Sequence, residues 1–225
     1  MQFQAKDGEA TIWIYDAIGE MFGPDAITAK GVRDRLGSLR GIDRLTVRIN
    51  SPGGMVDDAI AIHTLLSEYD AEKTVKVDGV AASAASVIAM VGKRIEMATG
   101  SMLMVHNPWG VAIGDGDALR KAAEVADKYR DSLIAIYAKR TGADKENIAS
   151  LMSAETWFTA EEAIAGKWAD DVTDGEEVQA FIDTELFPYK HTPAAMLKAL
   201  LKQQAPAVNL RGYRVALAKA RQSLL

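Results

Sequence analysis

Cysteine is absent from the 225-residue sequence, and histidine occurs only three times. Without cysteine the chain can form no disulfide, no thiolate zinc site and no thiol nucleophile. The longest apolar run, Val80 to Gly92, is mostly Ala and Ser and is shorter than the ~20 residues that cross a bilayer. Residues 1–13 contain no apolar core of a signal peptide. We therefore expect a cytoplasmic protein with no membrane partner.

Positive charge is too sparse to indicate a nucleic-acid partner. The 26 Lys and Arg residues are outnumbered by 31 Asp and Glu residues, and no basic block lies before the last thirty residues. The hydrophobic fraction of 48% and the charged fraction of 25% are typical of a globular protein. We predict neither a cofactor nor a metal site.

Strand and helix patterns alternate along most of the chain. Alternating or β-branched runs predict strands, and apolar residues at helical spacing predict helices between them. The predicted strands are 10–18, 44–49, 74–80, 94–98, 101–105 and 168–172, and the predicted helices are 25–39, 56–69, 83–91, 117–140, 145–152 and 159–166. This alternation predicts an α/β fold with right-handed crossovers.

Two further features concern domain organisation. The predicted helix at 117–140 keeps one apolar stripe along its length, so we expect it to project from the core and pack against a partner chain. From about Asp183 the composition shifts towards proline and then towards basic residues. We therefore predict a catalytic domain over residues 1–180 and a helical C-terminal extension over residues 181–225.

Ser83 is the candidate nucleophile. It follows a strand that ends near Gly79 and opens a helix of very small residues, whose first N–H groups face whatever binds above them. Small residues at a helix start often serve close packing alone, so a catalytic Ser83 also needs a base and oxyanion donors. Ser86 is a weaker alternative.

His106 is the candidate base. It ends an apolar strand and precedes Asn107-Pro108, where a loop begins and a side chain can face a cleft. His63 lies within a helix and is interpreted as structural, and His191 lies in the extension and is interpreted as solvated. The absence of Gly-x-Ser-x-Gly and the order Ser, His, acid disfavour the α/β-hydrolase and chymotrypsin-type folds.

Three motifs occur in order around these residues. They are Ile49-Asn50-Ser51-Pro52-Gly53-Gly54, Gly79-Val80-Ala81-Ala82-Ser83-Ala84 and Met104-Val105-His106-Asn107-Pro108. Together they resemble Ile-Asn-Ser-Pro-Gly-Gly, Gly-x-Ala-Ala-Ser-Met and Met-Ile-His-Gln-Pro of the proteolytic subunit of the Clp protease family. The resemblance extends from about residue 10 to residue 175.

This resemblance implies a ββα superhelix, shared by crotonases and Clp proteases, with a long projecting handle helix. It also implies a serine endopeptidase in which Ser83 is the nucleophile and His106 is the general base. The N–H groups of Gly54 and Ala84 would form the oxyanion hole. The two glycines at 53 and 54 allow the backbone to approach a substrate carbonyl closely.

The acidic residue departs from the family pattern. In the family an Asp stands two positions before an aromatic-x-Ser-Ala-x-Glu-Ala stretch, and residues 157–163 fit that stretch, which places Glu155 at the Asp position. A Glu carboxylate can orient a histidine, although its longer side chain requires a slightly retracted backbone. Thr156, Asp170 and Asp171 are the alternative orienting groups.

The resemblance also implies protein or peptide substrates and a homo-oligomer, either a heptameric ring or two stacked rings joined by the handle helices. The family's longer N-terminal segment, which engages an ATP-driven unfoldase, has no counterpart here, and no P-loop pattern occurs. We therefore expect no dependence on such an unfoldase. A cysteine-free chain with a partly basic tail is most similar to the head maturation proteases of phages and prophages, which process scaffold and capsid proteins.

Three other functions stay open at this point. A crotonase-type acyl-CoA enzyme shares the fold and the backbone oxyanion hole, but would use paired carboxylates rather than a Ser–His pair. A Ser–Lys peptidase could use Lys73, Lys76 or Lys93 and would leave His106 without a role. A catalytically inactive structural ring is compatible with the same sequence.

Overall fold

The computed structural model describes residues 2–174, 182–183, 186–193 and 196. Strands and helices alternate over most of this part of the chain. In chain order they are β1 (Gln2–Lys6), β2 (Glu9–Ile14), α1 (Ala29–Ser38), β3 (Arg44–Ser51), α2 (Val56–Glu68), β4 (Glu72–Ala82), α3 (Ala84–Ala89), β5 (Arg94–Ala98), β6 (Met102–Val105), α4 (Gly116–Thr141), α5 (Lys145–Ser153), β7 (Thr156–Thr159), α6 (Ala160–Ala165) and β8 (Asp171–Thr173). A short 3-10 helix at Glu20–Phe22 precedes α1.

The centre of the fold is a parallel sheet with the strand order β1-β2-β3-β4-β5-β8. β2, β3, β4, β5 and β8 pair in parallel, and β1 pairs with β2 in antiparallel orientation at one edge. Ile12, Val47 and Val75 on the central strands share one buried apolar cluster with Val32 of α1 and Ile62 of α2. Parallel strands joined through packed helices confirm the predicted α/β fold.

β4 pairs with two different neighbours along its length. Residues 74–77 pair with β5, whereas residues 80–82 pair with β6. The register between β3 and β4 shifts between Ile49 and Ser51. The Asn50 side-chain oxygen accepts a hydrogen bond from the Val80 N–H at 3.2 Å across this irregularity. The sheet therefore divides along β4, and the carboxyl ends of β4 and β6 emerge side by side.

Several predicted boundaries differ from the structure for local reasons. The helix predicted from residue 25 begins at Ala29, because the Thr28 side chain accepts a hydrogen bond from the Gly31 N–H and caps it there. The strand predicted at 168–172 forms only at 171–173. Trp168 is buried, and its backbone N–H donates to the Ala163 carbonyl at 2.7 Å rather than to a neighbouring strand. The sequence pattern also does not predict β1 or β7, in which no side chain is fully buried.

The described part of the C-terminal extension packs on the catalytic domain. Ile182, Leu186, Phe187 and Met196 form a second apolar cluster with buried residues of β4 and β6, which are Val80, Ala82 and Met104. The predicted helical character of residues 197–225 lies outside the described residues. The extension therefore begins beside the ends of the two strands that carry Ser83 and His106.

α4 is 26 residues long, and only its C-terminal half belongs to the core. Its buried residues are Leu133, Ile134, Tyr137 and Thr141. Leu119 and Val125 in the N-terminal half are each 46% exposed, and Tyr129 at the middle of the helix is 36% exposed. At 1.5 Å per residue the helix is about 39 Å long, so its N-terminal half projects from the domain. Of the helices in the described residues, none has the length and apolarity needed to cross a bilayer.

The exposed apolar residues of α4 lead to a prediction about self-association. We expect Leu119→Glu combined with Val125→Glu to reduce the size of the assembly while the circular dichroism spectrum stays that of the folded protein, because both side chains lie outside the core. Light scattering after gel filtration measures this. Lys121→Ala with Lys128→Ala changes the charge of the same helix by the same amount and should leave the size unchanged. A wild-type protein that is monomeric at micromolar concentration would contradict the prediction.

Candidate active site

Ser83 occupies a sharp turn between β4 and α3. Its backbone has φ 53° and ψ −123°, a left-handed conformation that a non-glycine residue adopts only when its surroundings impose it. The Ser83 N–H donates to the Met104 carbonyl at 2.9 Å, and the Ser83 carbonyl accepts from the Ser86 N–H at 2.9 Å. The turn lifts the hydroxyl above the end of the sheet, as in strand-to-helix turns that present a nucleophile.

His106 directly follows β6 and lies beside Ser83. The pairing of Ala82 with Met104 places the ends of β4 and β6 at the same level. The distance from Ser83 Oγ to His106 Nε2 is 2.7 Å, which is a hydrogen bond. The Asn107 N–H donates to the Met152 carbonyl at 3.1 Å and fixes the backbone just after the imidazole.

The environment of His106 favours the neutral imidazole. Burial disfavours the imidazolium and lowers the pKa of His106 to about 4, while the negative charge of Glu155 acts in the opposite direction. A neutral imidazole has one nitrogen that can accept a proton. The short contact to Ser83 Oγ places that acceptor where it can remove the hydroxyl proton.

The Gly53-Gly54 loop approaches Ser83 closely. A Cβ atom on Gly53 would lie 2.6 Å from the Ala82 carbonyl oxygen and 2.9 Å from Ser83 Cβ. Gly54 has φ 146°, and a Cβ atom there would lie 2.1 Å from the Ile18 carbonyl oxygen. Only glycine fits at either position. The Ser51 hydroxyl supports the loop by donating to the Asp16 carbonyl at 2.7 Å and accepting from the Gly53 N–H at 3.2 Å.

Gly54 lines the same cavity as Ser83, and Ala84 directly follows Ser83 in the chain. Ala84 is the first residue of α3, where helical N–H groups have no partner within the helix. Within the described residues, neither the Gly54 N–H nor the Ala84 N–H donates to another protein group. The assignment of these two N–H groups as an oxyanion hole stays a prediction.

Glu155 lies near His106 but has other hydrogen-bond partners. Its carboxylate accepts from the backbone N–H groups of Lys190 at 2.9 Å and His191 at 2.6 Å. Trp157 Nε1 is 3.4 Å from one of its oxygens. Within the described part of the chain, no hydrogen bond joins Glu155 to His106. The assignment of Glu155 as the orienting acid therefore stays a prediction.

The alternative orienting groups have partners elsewhere. Asp170 accepts from the Ile95 N–H at 2.7 Å and pairs with Arg140 at 2.6 Å, and Asp171 pairs with Arg94. The Thr156 hydroxyl donates to the Leu151 carbonyl at 2.7 Å. These contacts hold the three side chains in the framework of the domain.

The alternative nucleophile and bases also have other partners. Ser86 is fully buried, donates to the Ser83 carbonyl at 2.6 Å and lies 2.8 Å from the Tyr137 hydroxyl. The lysines considered for a Ser–Lys pair bind elsewhere: Lys73 to the Tyr69 carbonyl, Lys76 to Glu96 and Lys93 to Glu72. His63 lines a different cavity, where burial and Lys139 lower its pKa.

An apolar cavity of about 450 Å³ opens beside Ser83 and His106. Besides Ser83 and His106, four stretches of chain line it. They are Met21-Phe22, Gly54–Val56, Pro108–Val111, and Leu186, Phe187 and Tyr189. The last group lies in the extension, and the Tyr189 hydroxyl donates to the Pro52 carbonyl. The sequence analysis did not identify Tyr189, or the backbone N–H groups of Lys190 and His191, as parts of the site. The signal in the sequence was the aromatic pair Phe187 and Tyr189 within a polar stretch.

Metal-binding side chains do not converge on this cavity. Over the residues that the structure describes, no group of three or more His, Asp or Glu side chains could hold a metal ion. Ser83 and His106 are among the residues that line the cavity. The fold and the site thus define an α/β protein with a hydrogen-bonded Ser–His pair at the end of a divided sheet.

Comparisons with known proteins give the family. Residues 10–176 match the family described as Clp protease. The chain is 34% identical over 138 residues to the ATP-dependent Clp protease proteolytic subunit 1 of Protochlamydia amoebophila, an alignment that covers 59% of this chain and 66% of that protein. It is 36% identical over 119 residues to the ATP-dependent Clp protease proteolytic subunit of Ligilactobacillus salivarius, covering 52% of this chain and 60% of that protein.

The solved structures agree in fold. A point mutant of ClpP1 from Listeria monocytogenes superposes with a TM-score of 0.64 at 23% sequence identity, covering 74% of this chain and 92% of that chain. Because the family match at residues 10–176 includes most of the sequence, the chain belongs to the Clp protease family. Its alignments span slightly less than two thirds of the length of these curated relatives.

The burial of His106 leads to a prediction about its protonation. We expect the imidazole to stay neutral down to about pH 4. The unfolded chain takes up this proton near pH 6.5, so the free energy of unfolding should fall as the pH decreases from about 6.5 towards 4. A ¹H–¹³C NMR titration of the three histidines measures the midpoint, and His106→Asn assigns the signal. A His106 midpoint near 6.5 would contradict the prediction.

Proposed function

We propose that the protein is a serine endopeptidase that hydrolyses peptide bonds through an acyl-enzyme on Ser83. The observation that carries this proposal is the 2.7 Å hydrogen bond between Ser83 Oγ and His106 Nε2, beside two unpaired backbone N–H groups and an apolar cavity. A crotonase-type acyl-CoA enzyme needs no such Ser–His pair, so this contact favours the peptidase.

The proposed reaction uses His106 twice. His106 Nε2 accepts the Ser83 proton while Oγ attacks the scissile carbonyl carbon, and the Gly54 and Ala84 N–H groups stabilise the oxyanion. The imidazolium then gives its proton to the leaving amine as the C–N bond breaks. A water molecule, deprotonated by His106, attacks the acyl-enzyme, and Ser83 leaves with the returned proton.

Glu155 is proposed to stabilise the imidazolium that forms in both steps. Burial makes this cation unfavourable, as the lowered pKa of His106 reflects, and the Glu155 charge opposes that effect. An orienting carboxylate in a triad stabilises the cation without exchanging the proton. The contribution of Glu155 is therefore expected to be smaller than that of Ser83 or His106.

The substrate is proposed to be an extended peptide with an apolar side chain next to the cleaved bond. Met21, Phe22, Met55 and Val56 make the cavity wall near Ser83 apolar, and an apolar side chain gains free energy when it leaves water there. Short peptides need no unfolding, so they can test the site without an ATP-driven unfoldase. We propose that hydrolysis of short peptides requires no such unfoldase.

The proposed working form is a ring, heptameric or doubled by stacking, in which the exposed half of α4 contacts another subunit. Trp109, Val111 and Ile113 are more than half exposed and connect the cavity to the start of α4. Covering these side chains in an assembly would remove a large apolar surface from water. Access to Ser83 would then be controlled by enclosure in a chamber.

The physiological substrates are proposed to be scaffold or capsid proteins of a phage or prophage. The support is the resemblance of the sequence to head maturation proteases. The curated relatives named above are called Clp proteolytic subunits, so they support the family and not this choice of substrate. Coexpression with a capsid precursor from the same genome tests the proposal. Cleavage by the wild type but not by Ser83→Ala is the expected result, and an intact precursor would contradict it.

Labelling by a fluorophosphonate probe tests the nucleophile. We expect Ser83→Ala to abolish labelling and His106→Ala to reduce peptide hydrolysis roughly 10⁴-fold or more, because residues of a triad act as a unit. Ser86→Ala is the matched control and should still be labelled, since Ser86 lies in the core. Persistent labelling of Ser83→Ala would remove Ser83 from the mechanism.

Substitution of the candidate acids tests Glu155. We expect Glu155→Gln to lower kcat by roughly 10²- to 10⁴-fold, because the imidazolium loses its nearby negative charge. Asp170→Asn has the same change of charge at a carboxylate that pairs with Arg140, and it should affect stability more than kcat. Full activity in Glu155→Gln together with inactivity in Asp170→Asn or Asp171→Asn would show that another acid is used.

A further inference from the structure

Residues 186–193, here called the C-terminal segment, contact the candidate site at three points. Their first contact is apolar. Leu186 and Phe187 are 7% and 6% exposed and share a cluster with Val80, Ala82 and Met104. The Phe187 ring stacks on Phe22 with centroids 5.3 Å apart. The cluster fixes the segment to the strands that end at Ser83 and His106.

Tyr189 makes the second contact. Its ring meets the His106 imidazole edge-on, with centroids 5.2 Å apart and an interplanar angle of 81°. Its hydroxyl donates to the carbonyl of Pro52, immediately before the Gly53-Gly54 loop. Burial raises the pKa of Tyr189 above its usual range, so the hydroxyl stays protonated and can keep donating. One side chain thus contacts both the candidate base and the loop that carries an oxyanion donor.

The third contact involves Glu155. The backbone N–H groups of Lys190 and His191 donate to its two carboxylate oxygens, Oε2 and Oε1. Charge-assisted bonds of this kind are short and directional, so they restrict a side chain that is otherwise flexible. Glu155 itself has φ 51°, a backbone conformation that its surroundings must impose. The carboxylate is therefore held near His106 by the chain that follows the catalytic domain.

The segment leaves room for a substrate. A cavity of about 450 Å³ remains beside Ser83, and Leu186, Phe187 and Tyr189 form one of its walls. A segment that blocked the site would occupy this volume and cover Ser83 Oγ. Here the cavity contains the Ser83–His106 pair in its lining, with the segment on one side.

We propose that the C-terminal segment completes the active site in the same chain. Tyr189 is a positioning residue for His106 and for the loop at Pro52, and the N–H groups of Lys190 and His191 position Glu155. This assignment rests on the proposed peptidase function. It makes residues 186–193 part of the catalytic unit rather than an appendage to it.

Two substitutions at position 190 isolate the N–H contact. Lys190→Pro removes the donor to Glu155, whereas Lys190→Ala keeps it and removes only an exposed side chain. We expect Lys190→Pro to lower kcat for a short peptide about 10- to 100-fold with little change in KM, as for other partners that orient a catalytic group. Because Lys190→Ala keeps the N–H donor, the difference in kcat between the two variants measures the contribution of that donor.

Two substitutions at position 189 separate the effect of the Tyr189 ring from that of its hydroxyl. They also test the assignment independently if Lys190→Pro does not fold. Tyr189→Phe keeps the ring on His106 and loses the bond to the Pro52 carbonyl, and Tyr189→Ala loses both. We expect kcat to fall in Tyr189→Phe and to fall further in Tyr189→Ala. The His106 ring signals in NMR spectra should shift in Tyr189→Ala and not in Lys190→Ala, whether or not the protein is active.

The outcomes distinguish a failure of this assignment from a failure of the proposed peptidase function. Higher kcat in Tyr189→Ala or Lys190→Pro would show that the segment inhibits the site, and unchanged kcat in Lys190→Pro, Tyr189→Phe and Tyr189→Ala would show that it is a bystander. Either result overturns the assignment while the peptidase function stands. A wild-type protein that neither cleaves peptides nor reacts with the fluorophosphonate contradicts the proposed function, and the assignment falls with it.

Discussion

The pairing of β4 with β6 over residues 80–82 and 102–104 is the constraint on which the site depends. β4 leaves β5 after residue 77 and takes β6 as its neighbour, so two strand ends separated by 23 residues in sequence become adjacent in space. The hydrogen bond from the Ser83 N–H to the Met104 carbonyl continues this pairing into the turn. The Ser–His contact is therefore a product of sheet register rather than of loop conformation.

The strain at Ser83 is held by the same framework. Three hydrogen bonds involve its backbone, and the Gly53-Gly54 loop packs against it so closely that a Cβ atom would not fit at Gly53. Strained residues persist where surrounding contacts over-determine them. β4, β6 and the glycine loop thus surround Ser83, whereas the Glu155 carboxylate accepts its hydrogen bonds from the backbone of Lys190 and His191 in the following part of the chain.

Local sequence patterns predicted most of the fold and the two central residues. The alternation of strands and helices, the small residues after Gly79 and the strand-end His106 are all visible within short windows. The capping box of Thr159 and Glu162 is also visible and is formed. The contacts of Glu155 are not predictable in this way, because they join residues 35 and 36 positions apart through backbone atoms, which carry no sequence signal.

α4 is joined to the backbone of Ser83 by two consecutive hydrogen bonds. The Tyr137 hydroxyl of this helix contacts Ser86 Oγ at 2.8 Å, and Ser86 in turn donates to the Ser83 carbonyl at 2.6 Å. The Tyr137–Ser86 contact is buried and the Ser86–Ser83 contact is partly buried, so breaking the first leaves polar groups without water in the core. If the exposed N-terminal half of α4 rotates or shifts, there are therefore two outcomes. Either the helix bends between that half and Tyr137, or the movement reaches the backbone of Ser83.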